Sequence, residues 1–204
     1  MISEGEKFYW ETQSKHFENI NSSNINNFEY LDFVDHLPKI PEDLIEYDIE
    51  KIETFKIHYA AKLVDYKSYN APRKIYEFLK PYFSYSIQIK YQIIKEQMPI
   101  HVDYMQIQNQ KPFIFNYVLI SGGSNVNTRH WKLPEELPEK SSGDYWCSRP
   151  SARTPFWRNK PVDGMKILNE NNIPEKTWCR LNVSIPHDIS EIKSPRLLLT
   201  VFGR

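Results

Sequence analysis

Within Pro99-Ile100-His101-Val102-Asp103-Tyr104 an imidazole and a carboxylate stand two residues apart. Read as a strand after a turn, this stretch projects His101 and Asp103 from one face, about 7 Å apart along the chain, as two legs of a metal site. His187, directly after Pro186, supplies a third leg. Two histidines and one carboxylate hold Fe(II) on one side and leave adjacent positions open to a bidentate 2-oxo acid and to O₂. The far carboxylate of such an acid needs a permanently charged, planar partner. Arg196, nine residues beyond His187, has the fork geometry that lysine lacks. The same residues also have plainer readings. His101 and Asp103 could form a hydrogen-bonded pair, His187 could be a loop histidine, and Arg196 could form a salt bridge with Asp188 or Glu191.

The elements that must position these groups can be read from periodicity. Ser86 to Ile93 alternates polar with apolar or aromatic residues, the mark of a strand with one buried face. Further strands are predicted at Ile100 to Ile107, Phe113 to Ile120, Asn127 to Leu133, Thr177 to Ile185 and Arg196 to Phe202, with Gly122-Gly123-Ser124 as a turn. Asn70-Ala71-Pro72, followed by Ile75, Tyr76, Phe78 and Leu79, predicts the clearest helix, with Asn70 as a cap candidate. Glu42 to Ile52 could be a short helix, and Ser14 to Asn27 is a loop rich in Asn and Ser. The fold class expected is therefore mainly β with an N-terminal α/β extension. Residues 1–84 form the extension, whose helices pack on a barrel; residues 85–204 form the barrel, interrupted by an insertion at 134–175. A double-sheet jelly roll enclosing a pocket fits this series, and an immunoglobulin-like sandwich is the competing architecture.

Composition narrows the classes. The 204 residues suit one core, and the two cysteines, Cys147 and Cys179, are too few for a disulfide framework, which leads to a cytoplasmic expectation. The longest nearly unbroken apolar run, Phe113 to Ile120, falls far short of the roughly 20 residues a spanning helix needs, so no membrane partner is expected. The 26 basic and 26 acidic residues cancel, which disfavours a general polyanion binder. Their distribution is uneven: residues 1–50 carry a net charge of −9 and the remainder +9.

The order His101-x-Asp103, a long gap, Pro186-His187, then Arg196-x-Leu198-x-Thr200 ahead of a terminal apolar strand resembles the non-haem Fe(II) and 2-oxoglutarate-dependent dioxygenase family. The resemblance covers roughly residues 85–204. Trp178-x-x-x-Asn182-x-x-x-Pro186-His187 followed by Arg196-Leu197-Leu198-Leu199 is similar to bacterial and phage members in particular. It implies a double-stranded β-helix, a jelly roll of cupin-like form. It also implies Fe(II) held by His101, Asp103 and His187, with 2-oxoglutarate as co-substrate anchored by Arg196. Tyr91 and Asn116 are implied as pocket-facing residues near the co-substrate. Tyr117 competes with Asn116, because neighbours on a strand face opposite ways. Thr200 shares the face of Arg196 and could take part of the same carboxylate.

The implied activity is oxygenation, most simply hydroxylation of a substrate the sequence does not identify, coupled to conversion of 2-oxoglutarate and O₂ into succinate and CO₂. Two other functions are open at this point: a cupin-like metal-binding barrel without oxygenase activity, and a structural jelly-roll module. The Tyr145–Pro161 segment joins Tyr145, Trp146, Phe156 and Trp157 with Arg149, Arg153, Arg158 and Lys160 and has no acidic residue. It could contact an anionic or planar substrate, or single-stranded nucleic acid, or simply pin the insertion to the sheet. His130 is either pocket-lining or structural.

Overall fold

The computed structural model describes residues 30–47, 55–59, 62–98, 100–101, 113–132, 156–158, 164–183, 185–190 and 192–203, the side chains of 55–59, 62–66 and 156–158 apart. These residues are mostly strand. In chain order they form β1 (Leu31–Phe33), β2 (Phe55–Tyr59), β3 (Lys62–Asn70), helix α1 (Arg73–Leu79), β4 (Ile87–Ile94), β5 (Ile100–His101) and β6 (Phe113–Ile120). β7 (Asn127–Lys132), β8 (Phe156–Arg158), β9 (Lys166–Asn172), β10 (Trp178–Asn182), β11 (His187–Ile189) and β12 (Arg196–Gly203) follow.

Two antiparallel sheets result. The larger has the order β1-β10-β6-β12-β4-β3-β2 and the smaller β8-β5-β11-β7-β9. The arrangement is compatible with a β-sandwich. An apolar layer that includes Val118, Leu181 and Leu198 of the large sheet and Ile189 of the small one defines the inner face. A second cluster covers the outer face of the large sheet: Ile87, Ile89, Tyr91 and Ile93 of β4, with Leu197, Leu199 and Val201 of β12, pack with Ile75 and Leu79 of α1. Period-2 alternation along β12 divides that strand between these two layers, while on β4 the residues alternating with the outer set are half-buried Gln88, Lys90 and Gln92.

α1 begins at Arg73, with Pro72 rather than Asn70 at the cap position and the Ile75 amide bonded to Pro72 O at 3.0 Å. Its fixed φ suits that boundary. Ile75 and Leu79, one turn apart, are fully buried, so the helix is held by its sheet-facing stripe. The candidate helix at Glu42 to Ile52 is present only as the 3-10 turn Glu42–Leu44; residues 48–52 lie outside the described set.

Of the extension expected over residues 1–84, the described residues are only partly helical. Its β3 pairs with β4 and its β1 with β10, so both belong to the large sheet. The stretch 134–175, expected as an insertion, contributes β8 and β9 to the small sheet. No helix among the described residues is long and apolar enough to cross a membrane.

Candidate functional site

Three histidines stand in one row across adjacent strands. In the small sheet His187 of β11 is the register partner of His101 on β5 and of His130 on β7. Residues opposite each other in an antiparallel pair share a face. Ile189, two residues from His187, belongs to the inner apolar layer, so all three imidazoles face inward. The rings of His101 and His187 are 4.3 Å apart between centroids, and those of His130 and His187 5.9 Å.

The tautomers differ in what they offer. His187 Nδ1 lies 2.8 Å from Ile185 O and donates its proton there, which makes Nε2 the basic nitrogen. Backbone orientation of one ring nitrogen is the usual support for a ligating histidine. Burial, reinforced by the neighbouring His101 and His130, holds the His187 pKa well below the ordinary value, so the ring is neutral. His130 donates from Nε2 to Asn182 O at 3.1 Å, tying the small sheet to the end of β10. Its Nδ1 is buried without a hydrogen-bond partner among the described residues, and burial lowers its pKa to about 4. His130 does not join the other two around one point: no group of three His, Cys, Asp or Glu side chains among the described residues could hold a metal ion. Asp103, the expected third ligand, lies outside the described residues.

Arg196 opens β12, on the same face as Leu198 and therefore within the inner layer. It is 1% exposed, and Nη1 donates to Ser121 O at 3.1 Å while Nε has no partner among the described residues. No carboxylate pairs with it among the described residues. Asp188 is engaged elsewhere: Arg129 grips it with Nε at 2.9 Å and a second bond from Nη2, and Trp131 Nε1 donates to it at 3.1 Å. Glu191, the other possible partner, lies outside the described residues. Cys179 is close enough to interact electrostatically with Arg196, but burial pushes its thiol up to about 12, so it carries no charge at neutral pH. Burial also lowers the guanidinium pKa to about 10, leaving it cationic. A buried cation with no counter-charge is costly unless something anionic joins it.

The loop around Arg196 is fitted to it. Gly122 has φ +84°, where side chains are disfavoured, and a Cβ there would lie 3.0 Å from Arg196 Cβ and 3.2 Å from Ser194 O. Its carbonyl accepts from the amides of Lys193 and Ser194 at 2.9 and 3.1 Å. The Gly-Gly-Ser turn read from the sequence thus also packs against the root of the Arg196 side chain.

The remaining expected residues divide between the faces. Asn116, Thr200 and Cys179 are register partners across β6, β12 and β10, and Thr200 Oγ1 donates to Asn116 Oδ1 at 2.7 Å. Asn116 therefore faces inward, between Ile114 and Val118 of the inner layer, and Tyr117 faces outward against Trp178 with ring centroids 5.0 Å apart. The expectation for Tyr91 is corrected. It sits in the outer cluster with its ring 5.3 Å from that of Tyr69, and burial pushes its phenol up to about 12. The buried face of β4 that the alternation revealed is the face beneath α1, not the pocket face. The side chains of the Tyr145–Pro161 segment lie outside the described residues, and only the β8 backbone is placed, on the edge of the small sheet.

Two supporting features went unread in the sequence. Ser121 receives the Arg196 guanidinium through its carbonyl, and Asp188 has its paired role with Arg129. The first is a backbone contact, which no residue-type pattern announces. The second was visible as an Asp beside a histidine, but its partner is 59 residues away.

No family model matches the chain, and no curated protein matches it. Among solved structures, the X-ray structure of E. coli ycfD is similar over 57% of this chain and 25% of that one, at 12% identity and a TM-score of 0.31. The chain thus spans about a quarter of that protein's length, and a likeness of this degree carries no argument here.

Proposed function

We propose that the chain is an Fe(II)- and 2-oxoglutarate-dependent oxygenase folded as a jelly roll, with His101, Asp103 and His187 holding the metal and Arg196 the co-substrate. The observation that carries this reading is the buried Arg196 guanidinium on the inner face, with no carboxylate beside it among the described residues. The fold reading is supported by strand order. From β4 to β7 successive strands alternate between the two sheets, as do β9 to β12, which is the winding of a double-sheet roll.

The donor set fits the metal as far as it is described. His101 and His187 are adjacent, both buried, and His187 presents the nitrogen opposite its backbone hydrogen bond. Fe(II), when bound, supplies the redox chemistry of O₂ and the 2-oxo acid. The chain's own residues orient and enclose. Ile185 O fixes the His187 tautomer. Arg196 fixes one end of a dicarboxylate, with Ser121 O holding Nη1 in place. The Thr200–Asn116 pair lines the same face with a satisfied polar contact, and the inner layer keeps water from the buried charges.

A non-catalytic barrel in which Arg196 serves only as an ion pair with Asp188 is disfavoured, because Asp188 is already bound by Arg129 and Trp131. The test is succinate formation from 2-oxoglutarate by the iron-reconstituted chain, beside thermal melting with and without Mn(II) plus 2-oxoglutarate. Ligands that bind only the folded state raise the melting temperature. Absence of both succinate and a shift would sink the oxygenase reading.

A further inference from the structure

Arg196 is held by a relay that reaches the surface. Ser121, whose carbonyl accepts from Arg196 Nη1, is itself fastened by one carboxylate: Glu175 Oε1 accepts from the Ser121 amide at 2.8 Å and from Ser121 Oγ at 3.0 Å. Glu175 is brought there by the turn between β9 and β10. Lys176 adopts φ 57°, a left-handed conformation uncommon outside glycine, and thereby reverses the chain. That turn is bonded to the neighbouring strand at two points. The Lys176 amide donates to Val118 O at 2.7 Å, and the Val118 amide donates to Thr177 O at 3.3 Å. Lys176 also pairs with Glu42 in the 3-10 turn.

Each member of this chain has a backbone reason to stay where it is. At the root of the same side chain, Gly122 packs against Arg196 Cβ and Ser194 O and leaves no room for a Cβ of its own. Ser121 O is therefore the adjustable stop against which Arg196 Nη1 rests, and Glu175 sets its position.

We propose that Glu175 is a positioning residue that fixes, through Ser121, how deep the Arg196 guanidinium sits, and so which length of 2-oxo dicarboxylate spans from it to the metal. This rests on the oxygenase reading above. Glu175 touches neither co-substrate nor metal. Its effect follows from geometry: a dicarboxylate anchored at both ends tolerates little change in the distance between anchors, since misplacement at bound ends is felt as lost affinity.

The experiment measures calorimetric binding of three acids to the full chain loaded with Mn(II): oxaloacetate, 2-oxoglutarate and 2-oxoadipate, which differ by one methylene each. The wild-type chain is expected to select one length. Glu175→Ala should weaken the selected acid by about fivefold, in keeping with the loss of hydrogen bonds to a charged group, and should flatten the preference among the three. Glu175→Gln, whose amide oxygen still accepts from Ser121, should restore most of both. Mn(II) affinity should be the same in all.

Ser121→Ala, which loses only the hydroxyl bond, provides a milder version and carries the test if Glu175→Ala does not fold. Wild-type affinity and wild-type length selection in Glu175→Ala, or in Ser121→Ala where that variant stands in, would overturn the inference alone. An equal loss of Mn(II) affinity would overturn it too, by revealing a general collapse. Failure of the wild-type chain to bind any of the three acids would instead remove the oxygenase reading, and this inference with it.

Discussion

The two faces of the large sheet are built from alternate residues of the same strands, yet they follow different rules. Outside, β4 and β12 present Ile87, Ile89, Tyr91, Ile93, Leu197, Leu199 and Val201 to α1, in a layer that is aliphatic and aromatic throughout. Inside, the intervening positions include Arg196, Thr200, Asn116 and Cys179 among apolar neighbours. One face is filled for cohesion. The other keeps polar groups whose burial costs stability, and retains one of them, Arg196, without a counter-charge among the described residues. Stability and binding should therefore come apart on substitution, according to which way a side chain points.

The largest separation is expected outside. Leu79→Ala, which empties a fully buried position beneath the sheet, should cost about 2–5 kcal/mol in chemical denaturation while leaving Mn(II) binding per folded molecule unchanged. The inner counterpart is Arg196→Met. Removing a buried cation with no counter-charge among the described residues should leave denaturation stability unchanged or raise it. The same change should weaken 2-oxoglutarate by about a hundredfold in calorimetric titration, because a charge-assisted contact to a carboxylate is lost. A variant that loses stability as Leu79→Ala does would erase the distinction between the faces.

A smaller effect concerns pH. The His130 pKa in the folded chain, about 4, lies below its ordinary value, so the unfolded chain takes up a proton first as pH falls. Stability is fully present above about pH 6.5 and is lost as pH falls from there toward about 4. His187, shifted in the same direction, adds to the slope. The loss assigned to His130 is on the order of 3 kcal/mol. Denaturant melts at pH 7.5, 5.5 and 4.5 should show that loss reduced in His130→Asn, and a slope identical to wild type would refute the assignment. Smallest is Thr200→Val, which strands Asn116 Oδ1 and should cost about 1 kcal/mol in the same melts.

Much of this was legible in the sequence, and what was missed has physical causes. β4, β6, β7 and β12 matched the predicted strands within a residue or two, because their alternation reflects burial on a regular pleat. β9 was missed because an edge strand reading Lys-Ile-Leu-Asn-Glu-Asn-Asn is mostly exposed and polar, its two apolar residues being adjacent rather than alternating. β11 is three residues long, too short to show a period.

At the site, the pairing of His101 with His187 was anticipated from residue type and order, and register brings the two together. The choice between Asn116 and Tyr117 needed the structure, since a strand pattern fixes parity but not which side is the pocket. Tyr91 shows the same ambiguity from the other direction. Its face was correctly read as buried, but the large sheet is covered on both sides, and burial alone does not tell a helix-packed surface from a cavity wall.

Asp188 follows His187 directly, points to the opposite side of a three-residue strand, and is spoken for by a guanidinium and an indole. The inward face of this strand therefore offers imidazole nitrogen and no carboxylate oxygen. In the proposed metal site, such a strand would disfavour ions that demand an oxygen cage, such as calcium, and suit a borderline transition metal. Strand parity turns the Asp188 carboxylate away from the imidazole row, and the Arg129 salt bridge holds it there.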